Sequence, residues 1–447
     1  MIANDVLQPL NMNSSNMDNS PSRKRARYDS PVKERWSLAR NSLSLHDVLD
    51  YGVSLLADSE SEYGSDDEKD CNNGSRTNGT QMAVLQSMLP KETLRKITHE
   101  EWEVEMRKTT LNNDITPINH FEDLSDEMVL HIFHFLPKRM LSTAALVCKR
   151  WHRLTQDESL WSRMDLGGHQ LQPGALGQII SRQVMILRLA QAEIAYPAII
   201  PGCRAFQEDF KSRLLLLDLS MVSTTCKVLT DLFRRCRRLK KISLEHATVN
   251  AEVFEALSLN KELEIVNLAM VEGINQEGLQ HLLGNCTNIR ELNLAWTYLN
   301  ASSIQYVSAN LPECLDRLNI SGCRKLLNND HILKLVSCCP SLRELDLSDS
   351  TSLTNEAVHH ITSLQELNFL ALSRCYQISY HSLLQLKQIR TLMYLDVHGG
   401  YVDTSELRHL QENLGTKVQI NKFKFSSVAR PTVGTRRSSI WNMRVRD

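Results

Sequence analysis

The sequence predicts an α/β chain: a three-helix unit, then a curved repeat solenoid with a parallel sheet on its concave face, all preceded by a disordered N-terminal arm. Three observations carry this. A phrase of alternating apolar residues returns at nearly constant spacing through the second half of the chain. Ahead of it, Phe121 to Trp161 packs three short amphipathic runs into one small segment. The first hundred or so residues are rich in Ser, Asn and Asp with little periodic apolar spacing, a composition that cannot bury a core.

The repeat is read from its strands. Leu217-Asp218-Leu219-Ser220 is followed by Ile242-Ser243-Leu244, Val266-Asn267-Leu268, Leu292-Asn293-Leu294, Leu318-Asn319-Ile320, Leu345-Asp346-Leu347-Ser348, Leu370-Ala371-Leu372-Ser373 and Leu395-Asp396-Val397. Steps between the first apolar residues are 25, 24, 26, 26, 27, 25 and 25. A period in the twenties around an alternating strand core is the mark of leucine-rich repeats. Val184 to Leu189 reads as a degenerate opening repeat. Between strands, Asn275 to Leu283 and Ser405 to Leu414 carry apolar residues at helical spacing. Stacking at about 4.8 Å per repeat gives a concave sheet roughly 35 Å long, which suits an extended peptide or a small folded partner.

In the three-helix unit, Asp126 is placed to cap a run holding Leu130, Ile132, Phe133 and Leu136. Pro137 breaks it, a second run carries Leu141, Ala144, Ala145 and Val147, and a third extends from Lys149 through Trp151 to Leu154. So small a unit cannot cover that much apolar surface alone, so it is expected to complete its core against a partner. Leu160-Trp161 and Leu166 are expected to lead into the first repeat, which makes the unit the solenoid's N-terminal cap.

The totals narrow the function classes. With 51 Lys and Arg against 52 Asp and Glu, nothing global favours nucleic acid. No run of apolar residues is long enough to span a membrane, and the first residues lack the order of a signal peptide. A reducing compartment is therefore expected for the 11 cysteines. Cys236, Cys286 and Cys339 each fall six residues before a marked strand position, and Cys323 and Cys375 each five after one. They recur because the repeat recurs, at places that want a small buried residue. With no CxxC pair, neither a metal nor a cofactor is expected. No catalytic set appears either, so the chain reads as non-catalytic; a hydrolase or transferase built on the solenoid is the remote alternative.

The arm, residues 1–119, holds a basic cluster, Arg23-Lys24-Arg25 and Arg27, of the kind used for nuclear import. It is flanked by Ser20-Pro21 and Ser30-Pro31, each followed by x-basic, which resembles the site preferred by cyclin-dependent kinases. Phosphorylating Ser20 or Ser30 would place negative charge beside the cluster. Asp58 to Asp70 is an acidic run in which Ser59 and Ser65 resemble acid-directed kinase sites. Nuclear localisation, with some cytoplasmic, is the expectation.

Phe121 to Trp161 resembles an F-box. The likeness rests on Leu124, Glu127, Leu130, Ile132, Phe133, Leu136, Pro137, Leu141, Val147, Cys148, Lys149, Arg150 and Trp151, followed by Leu160-Trp161. The resemblance implies that Leu124, Glu127, Leu130, Ile132, Phe133, Leu136, Leu141, Val147 and Trp151 bind an adaptor of the S-phase kinase-associated protein one type. Through it the chain would reach the cullin and RING subunits of an SCF ubiquitin ligase.

Within the repeats, Trp296, Asp349 and Arg374 each fall four residues after their marked leucine, with Gly322 holding that place between Trp296 and Asp349. A rung with no side chain there could leave a notch. Arg324 and Tyr376 fall six after theirs. Two arrangements are open: Asp349 and Arg374 pair across neighbouring rungs, or the set forms a binding ridge in which Arg324 and Arg374 grip a carboxylate or phosphate. The phrases LNLAW (292–296), LDLSDS (345–350), LALSRCYQI (370–378) and SVARPTVG (427–434) resemble cell-cycle receptors of the F-box/leucine-rich-repeat family. That resemblance implies a concave surface that binds a cyclin-kinase-subunit accessory protein and a phosphorylated Kip-type inhibitor, with a cyclin–kinase complex as a further partner.

Residues 421–447 carry seven Lys or Arg against one Asp, yet also Phe423, Phe425, Val428, Val433, Ile440 and Trp441. A free tail rarely holds so many apolar residues unless they dock. The resemblance implies that the tail, Arg430 and Trp441 included, folds back over the repeats. The expected bounds are 1–119 arm, 120–165 F-box, 166–420 repeats and 421–447 tail. The leading expectation is a substrate receptor; the alternative keeps the F-box but makes the repeats a scaffold or inhibitor that binds a folded protein without degrading it.

Overall fold

A computed structural model of the chain describes residues 53–55, 120–422, 426–432 and 439–445. Ser20, Ser30 and the cluster of Arg23, Lys24, Arg25 and Arg27 lie outside them, as do Ser59 and Ser65. One short piece of the span read as an arm is described: Val53–Leu55 pairs antiparallel with His169–Leu171, so backbone hydrogen bonding fixes it to the start of the solenoid.

After a single helical turn at His120–Asp123, the F-box folds as three longer helices, α1 (Asp126–Phe133), α2 (Lys138–Ala144) and α3 (Lys149–Thr155). Ser125, not Asp126, caps α1: its hydroxyl accepts the Met128 N–H at 3.4 Å. Asp126 is the first helical residue and serves α3 instead, accepting the Arg150 Nε–H at 2.8 Å and pairing with Arg153. The Arg150 hydrogen bond holds its carboxyl below the usual range. α2 ends at Ala144, so Val147 sits on the link to α3 rather than on a helix. The unit does bury a core of its own, from Val129, Phe133, Leu141, Ala144, Leu154, Leu160 and Trp161.

The solenoid is one parallel sheet of eleven strands in strict sequence order. Beyond the nine rungs read from sequence it has two more, Arg163–Asp165 and Gln419–Ile420. The first falls inside the span read as F-box, so that unit itself supplies the opening rung. The marked residues form one inward column: Leu187, Leu217, Ile242, Val266, Leu292, Leu318, Leu345, Leu370 and Leu395 stand side by side with no exposed surface. Helices back the strands, and Asn250, Asn275, Asn300 and Asn328 cap four of them.

The residue after each marked position ends the strand. Asp218, Asn267, Asn293, Asn319, Asp346 and Asp396 each accept the N–H two residues on, at 2.9–3.2 Å. This local turn competes with further sheet and bends the chain outward. It explains why Asp and Asn recur within the strand phrase.

The joint between F-box and solenoid is tight. The Trp161 indole N–H donates to the Thr155 carbonyl at 2.7 Å, the Arg182 guanidinium lies 3.8 Å above the same ring, and Met164 packs against both cores. Outside, Glu158 takes Arg204 and Arg213 at 3.2 and 3.1 Å.

Candidate functional site

Two surfaces stand out, one on the F-box and one along the strand ends. On the F-box, α1 is apolar on two faces. Val129 and Phe133 face the core, while Met128, Ile132 and Phe135, spaced four and three apart, face outward, and Phe135 is 77% exposed. Leu146, 72% exposed, Val147 and Met140 continue this surface along α2 and the link beyond it. Of the residues read as adaptor-binding, Glu127, Ile132 and Val147 are exposed, and Leu124, Leu130, Leu136 and Trp151 are half-buried. Phe133 and Leu141 are each 1% exposed and cannot touch a partner. They hold the three helices together, Phe133 in edge contact with Trp151 at 5.2 Å between ring centroids. Periodicity finds apolar positions but does not say which of two faces looks inward, and so Met128, Phe135 and Leu146 were missed.

The second surface is set by backbone. Four residues after each marked position the chain turns through the left-handed region: Gln191, Met221, His246, Met270, Trp296, Asp349 and Arg374 have φ between 56° and 63°, and Gly322 and Gly399 have 84° and 70°. The conformation recurs because the turn recurs in each repeat, and for residues other than glycine it costs stability. Trp296 and Arg374 lean onto the following rung, each over a glycine. A Cβ on Gly322 would lie 2.8 Å from Trp296 Cδ2, so the indole covers the bare rung and no notch remains. Gly322→Ala is expected to displace the ring and lower stability by about 1–3 kcal/mol, measured by thermal unfolding.

Asp349 and Arg374 pair across neighbouring rungs, the Arg374 Nε–H donating to one carboxylate oxygen and the Nη2–H to the other. The hydrogen bond to Asp349 raises the Arg374 pKa. The fork of Arg374 is thus occupied. Arg324 is exposed, has no carboxylate partner among the described residues, and lies 6.0 Å from the Trp296 ring. Asp349→Ala is expected to leave stability within about 1 kcal/mol, since Arg374 is half exposed, while freeing that fork for an anionic ligand; anion titration by calorimetry checks it.

The column is a ridge between two grooves. The outer, about 870 Å3, brings together Trp296, Arg324, Asp349 and Tyr376 with His246 and Met270. The inner, about 700 Å3, shares His246, Met270, Trp296 and Asp349, and adds Arg374 and the tail's Arg430. The register of Trp296, stepped back by 26, 24 and 25 residues, reaches Met270, His246 and Met221. Likewise the register of Arg324 and Tyr376 also holds Tyr298 and Tyr401, 90% and 78% exposed, with Tyr401 5.5 Å from Tyr376 between rings.

The tail occupies much of the concave sheet, which is therefore not an open trough. Asn319 and Asn293 donate to Ser426 Oγ and the Val428 carbonyl at 3.0 and 3.1 Å, and the Ala429 N–H donates to Glu291 at 2.9 Å. Ile440 and Val445 are buried against Ile186 and Leu216 at the opposite end of the sheet. The Trp441 indole N–H donates to the Ala429 carbonyl at 3.1 Å, so this side chain fastens the tail to itself. Arg430 faces Glu245 at 3.7 Å.

The repeat cysteines are inert. Burial pushes the thiols of Cys236, Cys286, Cys323, Cys339 and Cys375 up to about 12, far from the thiolate a metal requires. Among the described residues no helix is long and apolar enough to cross a membrane.

Comparison with known proteins meets this geometry at both ends. Residues 174–447, more than half of the chain, match the family model "SKP2 LRR domain", and 121–167 match "F-box-like". The chain belongs to the F-box/LRR family, with an SKP2-type repeat domain. F-box/LRR-repeat protein 12 of Mus musculus is 28% identical over 227 residues, 48% of this chain and 67% of that protein. Lysine-specific demethylase 2A of Xenopus tropicalis is 26% identical over 283 residues, 62% of this chain and 21% of that one. The chain thus spans about a fifth of the demethylases it matches. F-box/LRR-repeat protein 4 of Bos taurus is 30% identical over 154 residues, 34% of this chain and 22% of that protein.

Proposed function

We propose that this F-box/LRR chain is the substrate-recognition subunit of an SCF ubiquitin ligase and is non-catalytic itself. The observation that carries this is one compact unit with two separate exposed surfaces: Met128, Ile132, Phe135 and Leu146 on the F-box, and the ridge around Trp296 on the solenoid. The first suits an adaptor of the S-phase kinase-associated protein one type, which brings cullin and RING subunits. The second holds a target at a fixed distance from the ubiquitin-charged enzyme, and proximity supplies the rate.

The target class we propose is that of S-phase kinase-associated protein two: phosphorylated cell-cycle regulators such as Kip-type inhibitors, presented with a cyclin-kinase-subunit accessory protein in the nucleus around the G1/S transition. Trp296, Tyr298, Tyr376 and Tyr401 are of the type enriched at interface hot spots, and Arg324, with no carboxylate partner among the described residues, is open to a phosphate or carboxylate.

The test is binding of a phosphorylated inhibitor-tail peptide, with and without the accessory protein. Arg324→Ala and Trp296→Ala are each expected to weaken it by about tenfold or more, and removal of the phosphate by as much. Affinity indifferent to phosphate and to both substitutions would leave a scaffold that binds a folded protein without degrading it.

A further inference from the structure

Between the tail and the sheet lies a cavity of about 460 Å3 lined by Ser439 and by three cations, Lys241, Arg317 and Arg430. Among the described residues, Glu291 is the one carboxylate lining it. Arg317 is shared between Glu291 and Glu344 at 3.1 and 2.7 Å, and Arg430 lies 3.7 Å from Glu245. Lys241 has no carboxylate within ion-pair distance among the described residues. Both arginines keep a buried Nε–H without a hydrogen-bond partner. The three carboxylates Glu291, Glu344 and Glu245 are taken by the two arginines, Lys241 stands outside these pairs, and the two buried Nε–H groups have no acceptor, against the usual rule for buried polar groups.

The sequence around that serine reads Arg436-Arg437-Ser438-Ser439-Ile440. Arginines three and two residues before a serine, with an apolar residue just after, are what basophilic protein kinases select, because an acidic groove pairs the guanidinium groups. We propose that Ser439 is a phosphorylation site for such a kinase, and that its phosphate is received by Lys241, Arg317 and Arg430, locking the tail onto the concave sheet. Ser439 Oγ bonds to the γ-phosphorus of ATP as the bond from that phosphorus to ADP breaks; ADP leaves and the hydroxyl proton passes to the kinase.

Ser439 opens a hairpin of two-residue strands, Ser439–Ile440 and Met443–Arg444, short enough to open locally and admit the enzyme. On closing, the phosphoserine carries roughly 1.5–2 negative charges into a cavity lined by Lys241, Arg317 and Arg430. A group that binds only the docked tail shifts the equilibrium towards docking. The inference goes beyond the proposed function and needs no knowledge of the substrate.

The experiment uses the full-length chain, ATP and the catalytic subunit of a cyclic-AMP-dependent kinase as probe, with the site mapped by mass spectrometry. Amide hydrogen exchange is then followed over 426–432 and 439–445. The expected result is phosphate on Ser439 and exchange slowed by about fivefold or more, as for one to three new charge-assisted hydrogen bonds. Ser439→Ala should take no phosphate there and exchange like the unmodified chain. Lys241→Gln should accept the phosphate but lose most of the slowing. Phosphate confined to Ser438, exchange unchanged or faster on Ser439 phosphorylation, or slowing that survives in Lys241→Gln would each overturn the proposal.

Discussion

Phe133→Ala is expected to melt the F-box, whereas Phe135→Ala is expected to leave it folded and abolish capture of the adaptor. The two phenylalanines are two residues apart on α1 and its end, but one is 1% and the other 77% exposed. Phe133 contacts Trp151 and sits in a cluster that also contains Val129, Leu141 and Trp161. Truncating a buried phenylalanine costs about 3–5 kcal/mol, more than so small a unit can lose and stay ordered. Phe135 rests on no such cluster, so its removal leaves stability within about 0.5 kcal/mol. Its contribution is to the partner, where a central aromatic is worth about 2 kcal/mol or more. Hydrogen exchange over 126–155 with adaptor pull-down separates the two. Adaptor binding that survives Phe135→Ala would show that the outward face of α1 is not the docking face.

Removing the chain after Asn421 is expected to leave the repeats folded and the adaptor bound, but to lower the unfolding midpoint by several degrees. The inward column from Leu187 to Leu395 is buried by the helices and owes nothing to the tail. What the tail covers is the other side of the sheet: Ile186, Leu216 and Ile265, each under 9% exposed because Ile440, Val445, Val428 and Ala429 lie on them. Uncovering buried aliphatic side chains costs about 1.5–3 kcal/mol each at most, spread over a domain whose midpoint moves about 2–4 °C per kcal/mol. The truncated chain should also self-associate through the bared strip, seen by light scattering. Because Ser426 and Arg430 wall the inner groove, binding there should fall by about tenfold or more while the outer groove keeps its shape. A truncated chain with unchanged midpoint and binding would mean that the tail's contacts contribute nothing net.

The sequence by itself determined the repeat, its register and the three helices beneath it. Residues one period apart must stack, so the leucine phrase located nine of eleven rungs, the buried cysteines and the ridge position of Trp296, Asp349 and Arg374. It could not decide what depends on which neighbour arrives first. Whether Phe133 or Phe135 faces the core is set by where Trp151 and Leu141 lie, and a helix apolar on two faces carries no internal label. Whether Arg374 is free or paired depends on Asp349 one rung away, and whether Gly322 leaves a notch depends on which way the Trp296 ring falls. The left-handed column came from the geometry of the turn, which Asp and Asn hydrogen bonds set in a way the apolar pattern does not report. Local spacing fixes the rungs; the faces, the pairings and the course of the tail over the sheet are fixed only when distant segments meet.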